Sequence, residues 1–247
     1  MSATTTMTAT ETRLFLREPG AVFWALAFPA LLLVVLGTVF PGAQDPSEDL
    51  GGARLVDLYA PIALTLGLLT VGTNTLPVAL ATSRELGVFR RLSITPVHPR
   101  SLLAAHLAVQ VGAAVTAAVI AVAVGVVAFD LPVPEAPLWF AVAFVLAAAA
   151  SLSIGLLIGS TARTTAAGQG IGMAVYFPLL FFAGVYFPRE VMPDGLRLVS
   201  DLTPAGAAVQ ALQDSWWGSP PTASSLLVML AWTVVTGAVA ARLFRWG

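Results

Sequence analysis

Residues 101–129 read SLLAAHLAVQVGAAVTAAVIAVAVGVVAF, a run without Asp, Glu, Lys, Arg or Pro. At 1.5 Å of rise per residue, about 20 helical residues cross a hydrocarbon core of about 30 Å. The run is long enough to do so, and it marks a membrane span. Five more charge-free runs lie around it, at 22–40, 58–83, 137–162, 168–187 and 223–241. Composition agrees: 57% of the 247 residues are hydrophobic and 10% charged, against about a quarter charged in ordinary globular domains. Mean hydropathy is +0.87. The expected fold is an all-α integral membrane protein with six transmembrane helices, a single membrane domain over 1–247 with no room for a soluble enzyme domain.

The segments between the runs set the topology. Residues 1–10 are rich in Ser and Thr and predict an irregular start, and 11–20 mixes Arg13, Arg17 and Glu18 with Leu14, Phe15 and Leu16. That pattern predicts an amphipathic helix lying on the membrane surface. The run 22–40 is too long for a signal-peptide core, so it is expected to be retained, with a kink at Pro29. With the amino terminus inside, nine arginines fall on the cytoplasmic side (Arg13, Arg17, Arg84, Arg90, Arg91, Arg100, Arg163, Arg242, Arg245) and three outside (Arg54, Arg189, Arg197). This bias predicts both termini in the cytoplasm. The pair Trp216-Trp217 is expected at headgroup level, where indole rings sit half wet.

Chemistry is sparse. The chain has no Cys, which removes thiol and disulfide chemistry, and no Lys, which removes Schiff bases and the lysine of a Walker-type phosphate loop. No metal site is expected: His98 and His106 sit in or near a loop without carboxylates at ligand spacing. The spans lack the buried charges that ion-coupled carriers use. Gly168-Gln-Gly-Ile-Gly172 opens an apolar run, so close packing explains it better than phosphate binding. Ala147, Ser151, Gly155 and Gly159 recur at every fourth position and predict a face on which a second helix packs closely. Asn74, with Thr70, Thr73 and Thr75, is the densest polar group within a span; it can line a pathway or hydrogen-bond between helices.

Two connecting segments are more than turns. Residues 84–96, RELGVFRRLSITP, alternate charge with Leu86, Val88, Phe89, Leu92 and Ile94, which suits a short helix against a partner surface or on anionic lipid. In 188–221, Leu196, Val199 and Leu202 fall at helical spacing and predict a helix tucked into the outer membrane edge.

These features together resemble the permeases of type-two ABC exporters, the group that includes actinobacterial antibiotic-resistance permeases. The resemblance rests on the amphipathic helix at 11–20, the R-E-x-G-x-x-[RK]-R-L-x-x-[TS]-P pattern at 84–96, six spans, and the F-P-x-x-x-M-P segment that starts at Phe187. It implies that 84–96 is a coupling helix docking on a separate ATPase subunit through Arg84, Glu85, Phe89, Arg90 and Arg91, flanked by Arg13 and Arg17. It implies two ATPases and two permease copies, a homodimer, with a pathway between the permeases bounded by spans one, two and five. Phe23, Phe28, Asn74, Phe177 and Phe181 would line it, which suits a hydrophobic or amphipathic cargo such as a drug or antibiotic, a lipid or a glycan. ATP and Mg would be bound by the partner, and the permease would carry no cofactor and no catalysis of its own. The expected setting is a bacterial plasma membrane, in contact with lipid and without nucleic acid. An ion-coupled carrier or channel, a membrane enzyme and a non-transporting scaffold remain open alternatives.

Overall fold

The computed structural model describes residues 3–50, 52–92, 99–187 and 189–244. Among the described residues six helices are long and apolar enough to cross a membrane: Pro19–Val39, Leu55–Glu85, Ser101–Phe129, Pro137–Thr161, Thr165–Phe182 and Ala223–Leu243. They are spans one to six. No strand occurs among the described residues. Span two is the shaft of the bundle, with 94% of its most apolar stretch buried, whereas the other spans bury between 17% and 56%.

Spans one and two share a local device. Pro29 and Pro77 lack an N–H, and their rings would strike the carbonyl four residues back in a regular helix. Each is preceded by a widened π turn, Phe23–Ala27 and Thr70–Thr75, in which Phe28 N–H bonds Phe23 O and Leu76 N–H bonds Val71 O, five residues back. The expected kink at Pro29 thus takes the form of a π turn. The two widened turns pack against each other.

Spans four and five close on the turn in span two through residues without side chains. A Cβ on Gly155 would collide with the carbonyl oxygen of Gly72, and one on Gly172 with that of Thr73. On Gly159 it would meet Leu80 Cδ1 at 2.7 Å. Ala147 and Ser151, the rest of the stripe on span four, are buried too. Span six packs along another face of span four, where the hydroxyls of Ser153 and Thr236 are 2.6 Å apart.

Several boundaries differ from the sequence reading. The amino-terminal helix begins at Ala3 and ends at Arg17. Its threonines satisfy their hydroxyls within the helix, Thr8, Thr10 and Thr12 donating to the carbonyls of Thr4, Thr6 and Thr8. Span two starts earlier, at Leu55, because the Asp57 carboxylate in its first turn accepts from the Arg54 backbone N–H and guanidinium; Arg54 Nη1 also donates to Phe129 O at the end of span three. Span five runs from Thr165, capped by the Thr164 hydroxyl, and stops at Phe182 before Gly184 turns left-handed at φ +84°.

Between spans five and six the described residues form a 3-10 turn, Arg189–Val191, and two α-helices, Asp194–Leu202 and Pro204–Trp216; Pro188 lies outside the described residues. The first α-helix leaves Leu196, Leu198, Val199 and Leu202 exposed. The second is buried against spans two, four, five and six. Trp216 is therefore a core residue: it is 2% exposed, its ring meets Phe140 edge-on, and Nε1 donates to Pro132 O at 2.9 Å. Of the pair expected at headgroup level, Trp217 is the exposed one.

Gly155→Val drives a branched side chain into the Gly72 carbonyl and is expected to cost about 3 kcal/mol, the upper end for an overpacked site. Thermal unfolding of the detergent-purified chain should fall accordingly. Gly170→Ala, where nothing lies within 4 Å of the added carbon, should leave the midpoint unchanged or raised.

Candidate functional site

The last turn of span two carries the residues on which the sequence reading concentrated, and there Arg84, half-buried, and Glu85, exposed, both bond to other parts of the chain. Arg84 Nη1 donates to Gly159 O at 2.8 Å and to Ala162 O, both at the end of span four. Its guanidinium also lies 5.5 Å from the centre of the Phe244 ring. The Glu85 carboxylate accepts from the backbone N–H and hydroxyl of Thr165 at 2.8 and 2.7 Å. A carboxylate at the first turn of span five is well placed, because free N–H groups and the positive end of the helix dipole converge there. Thr82 reinforces the contact, its hydroxyl 3.0 Å from that of Thr165.

Gly87, at φ +68°, then reverses the chain into the short helix Val88–Leu92. A side chain would strain that conformation, and glycine relieves it. Phe89 is buried, its ring edge-on to Phe244 at 5.9 Å. Outward-facing are Leu86, 61% exposed, and Arg91, whose Nη2 donates to Leu86 O. Arg13 and Arg17 are exposed on the amino-terminal helix. The Arg90 side chain and residues 93–96 of the expected coupling helix lie outside the described residues, as does His98.

The amino-terminal helix is fastened to this end of the bundle. Glu11 Oε2 lies 3.4 Å from His106 Nδ1, and His106 Nε2 is 3.2 Å from the Ser83 hydroxyl. His106 is a buried residue near the start of span three. Thr165, His106 and Phe244 are the contributors that sequence reasoning missed. Only Thr165 left a signal, the Thr-Thr pair that opens an apolar run.

The aromatic candidates form two groups. Phe23, Trp24 and Phe28 cluster around the π turn of span one, with centroids 4.6 to 6.5 Å apart. On span five Phe177 is exposed, and Phe181 is half-buried edge-on to Phe182. Among the described residues no ring contact joins the two groups. Asn74 sits on the π turn that touches both span one and span five. Its Oδ1 is buried and has no hydrogen-bond partner among the described residues; the same holds for Gln110 Oε1 of span three. Thr70 and Thr73 spend their hydroxyls on local carbonyls, and Thr70 also meets Tyr176 Oη of span five at 2.8 Å. Among the described residues no group of His, Asp and Glu is arranged to hold a metal.

A bundle of apolar helices whose charged residues keep to its ends defines a multi-pass integral membrane protein. The sequence matches the family described as ABC-2 type transporter over residues 2–217, and the chain belongs to that family. Two proteins of Mycobacterium tuberculosis, from strains CDC 1551 / Oshkosh and ATCC 25618 / H37Rv, are similar to it. Each is described as a probable doxorubicin resistance ABC transporter permease protein DrrC, and each is 24% identical over 221 residues, covering 88% of this chain and 77% of its own. The chain is thus a transmembrane transporter subunit that works with a separate ABC ATPase, which hydrolyses the ATP.

Burial pushes the Glu11 carboxyl above its ordinary value. A carboxyl raised in the folded state contributes stability below its unfolded pKa and loses it as pH rises through the folded one. Glu11→Gln removes that dependence. Melting curves between about pH 4 and pH 7 should show the wild type losing ground to the variant as pH rises.

Proposed function

We propose that the chain is the permease of an ATP-driven exporter that moves a hydrophobic or amphipathic substrate out of the cell, with drugs or antibiotics first and lipids or glycans next. The doxorubicin-resistance description of the two mycobacterial relatives supports this order. Two copies of the chain and two ATPase subunits form the working assembly, in a bacterial plasma membrane with both termini cytoplasmic. The pathway lies between the copies, and Phe23, Phe28, Asn74, Phe177 and Phe181 face it in one state or the other.

The observation that carries this reading is the knot at the end of span two. Arg84 holds span four, Glu85 holds span five, and Phe89 packs on the end of span six, so a push on Val88–Leu92 reaches three spans at once. Arg84, Glu85 and Phe89 act as positioning residues. Leu86 and Arg91 touch the ATPase, flanked by Arg13 and Arg17 and joined by Arg90. ATP drives transport because the closed ATPase pair binds one permease conformation more tightly than the other; equal affinity would shift nothing.

The test separates docking from transmission. Co-expressed with its cognate ATPase, the variant Leu86→Asp/Arg91→Glu should lose co-purification. Thr165→Val removes the hydroxyl that Glu85 grips; it should keep co-purification yet lower export per ATP hydrolysed in proteoliposomes several-fold. Full export by both variants would sink the assignment.

A further inference from the structure

We propose that the segment between spans five and six holds a binding site for the phosphodiester of a lipid headgroup. A cavity of about 310 Å³ opens there, lined by Arg189, Arg197, Gln210, Gln213, Asp214, Trp217 and Ser219. Its lining is dominated by hydrogen-bond donors: two guanidinium groups, two primary amides, an indole N–H and a hydroxyl.

Of the two arginines, Arg189 is structural. It is buried, donates to Gly206 O at 2.7 Å and is ion-paired with Asp201, which fixes one wall. Arg197 is exposed, and no described residue neutralises it. The cavity's own carboxylate, Asp214, accepts from the Thr222 backbone N–H at 3.3 Å, and burial shifts its carboxyl upwards. With Asp201 already paired, Arg197 is left to receive an oxyanion, and a forked guanidinium matches a phosphate geometrically.

The helix that carries Arg197 identifies the source of the phosphate. Asp194–Leu202 exposes Leu196, Leu198, Val199 and Leu202, four large apolar side chains on nine residues of an otherwise polar helix. Exposed in this way, they belong at the edge of the hydrocarbon, which brings Arg197 to headgroup level. A lipid phosphate can then enter the cavity while its acyl chains stay among those apolar residues. The site is separate from the knot at Arg84 and Glu85, and it does not depend on what the chain exports.

Dioctanoyl-phosphatidylglycerol, dioctanoylglycerol and inorganic phosphate are titrated onto the full chain in maltoside micelles, and binding is read by native mass spectrometry. The phosphatidylglycerol adduct should form, and Arg197→Gln should weaken it about tenfold, in line with the loss of a charge-assisted hydrogen bond. Arg197→Lys should restore part of the affinity, and Arg242→Gln, a change to an exposed arginine at the far end, should have no effect. Dioctanoylglycerol, which lacks the phosphate, should bind weakly and equally to all variants. Inorganic phosphate binding as tightly as the lipid would overturn the lipid source and assign the cavity to a soluble phosphate ester. A phosphatidylglycerol adduct unchanged by Arg197→Gln, with the variant's melting temperature intact, would overturn the site.

Discussion

The bundle depends on how the freed carbonyls of one widened turn are received. Pro77 has no N–H for the Thr73 carbonyl four residues back, and just before it span two widens at Thr70–Thr75, where Leu76 N–H bonds Val71 O instead of Gly72 O. Inside a bilayer no water is at hand to receive these two carbonyls. Spans four and five bring glycine α-carbons instead, Gly155 over the Gly72 carbonyl and Gly172 over that of Thr73, close enough for weak Cα–H···O contacts. A methyl group at either position would hold the helices apart. The small-residue stripe of span four and the glycines of span five are thus the complement of a proline in span two.

From that centre the architecture extends along span two to both ends. At one end Arg54 and Asp57 tie its first turn to the close of span three. At the other, Arg84 and Glu85 tie its last turn to spans four and five. In lipid, apolar helices gain little from hiding from one another, so association rests on close packing and a few polar contacts. Span two supplies both. Its middle is packed by glycine and its ends are pinned by charge, so it is buried while the spans around it keep lipid-facing sides.

Much of this was legible in the sequence. Charge-free runs located all six spans, because charge is excluded from the hydrocarbon and the exclusion shows residue by residue. The stripe Ala147, Ser151, Gly155 and Gly159 was legible too, although its neighbour was not: that depends on the widened turn at Thr70–Thr75, which no periodicity announces. Trp216 was misread because an indole beside a polar segment looks interfacial, and only the fold brings the Pro132 carbonyl to its N–H. Arg84, Glu85 and Phe89 drew attention as ATPase contacts because charge near an amphipathic loop suggests a partner; what the sequence did not show is the hold they have within the chain. In the structure their partners are span ends distant in sequence, at Gly159, Thr165 and Phe244.

The same π-turn-and-proline device in adjacent spans bears on how a transporter of this family can hold two conformations. A regular helix resists bending along its whole length, whereas a π turn beside a proline concentrates bending at one level. Here two such levels coincide, since Phe23–Ala27 packs on Thr70–Thr75. Asn74 Oδ1 lies at that level, buried and without a partner in this conformation. An unpaired amide oxygen in a low-dielectric interior costs free energy, and a second arrangement of the spans that gave it a donor would recover that cost. On the exporter reading, the closed ATPase supplies the bias between the two arrangements. The hinge level supplies the place where a displacement at Val88–Leu92 becomes a rotation of span two against span one.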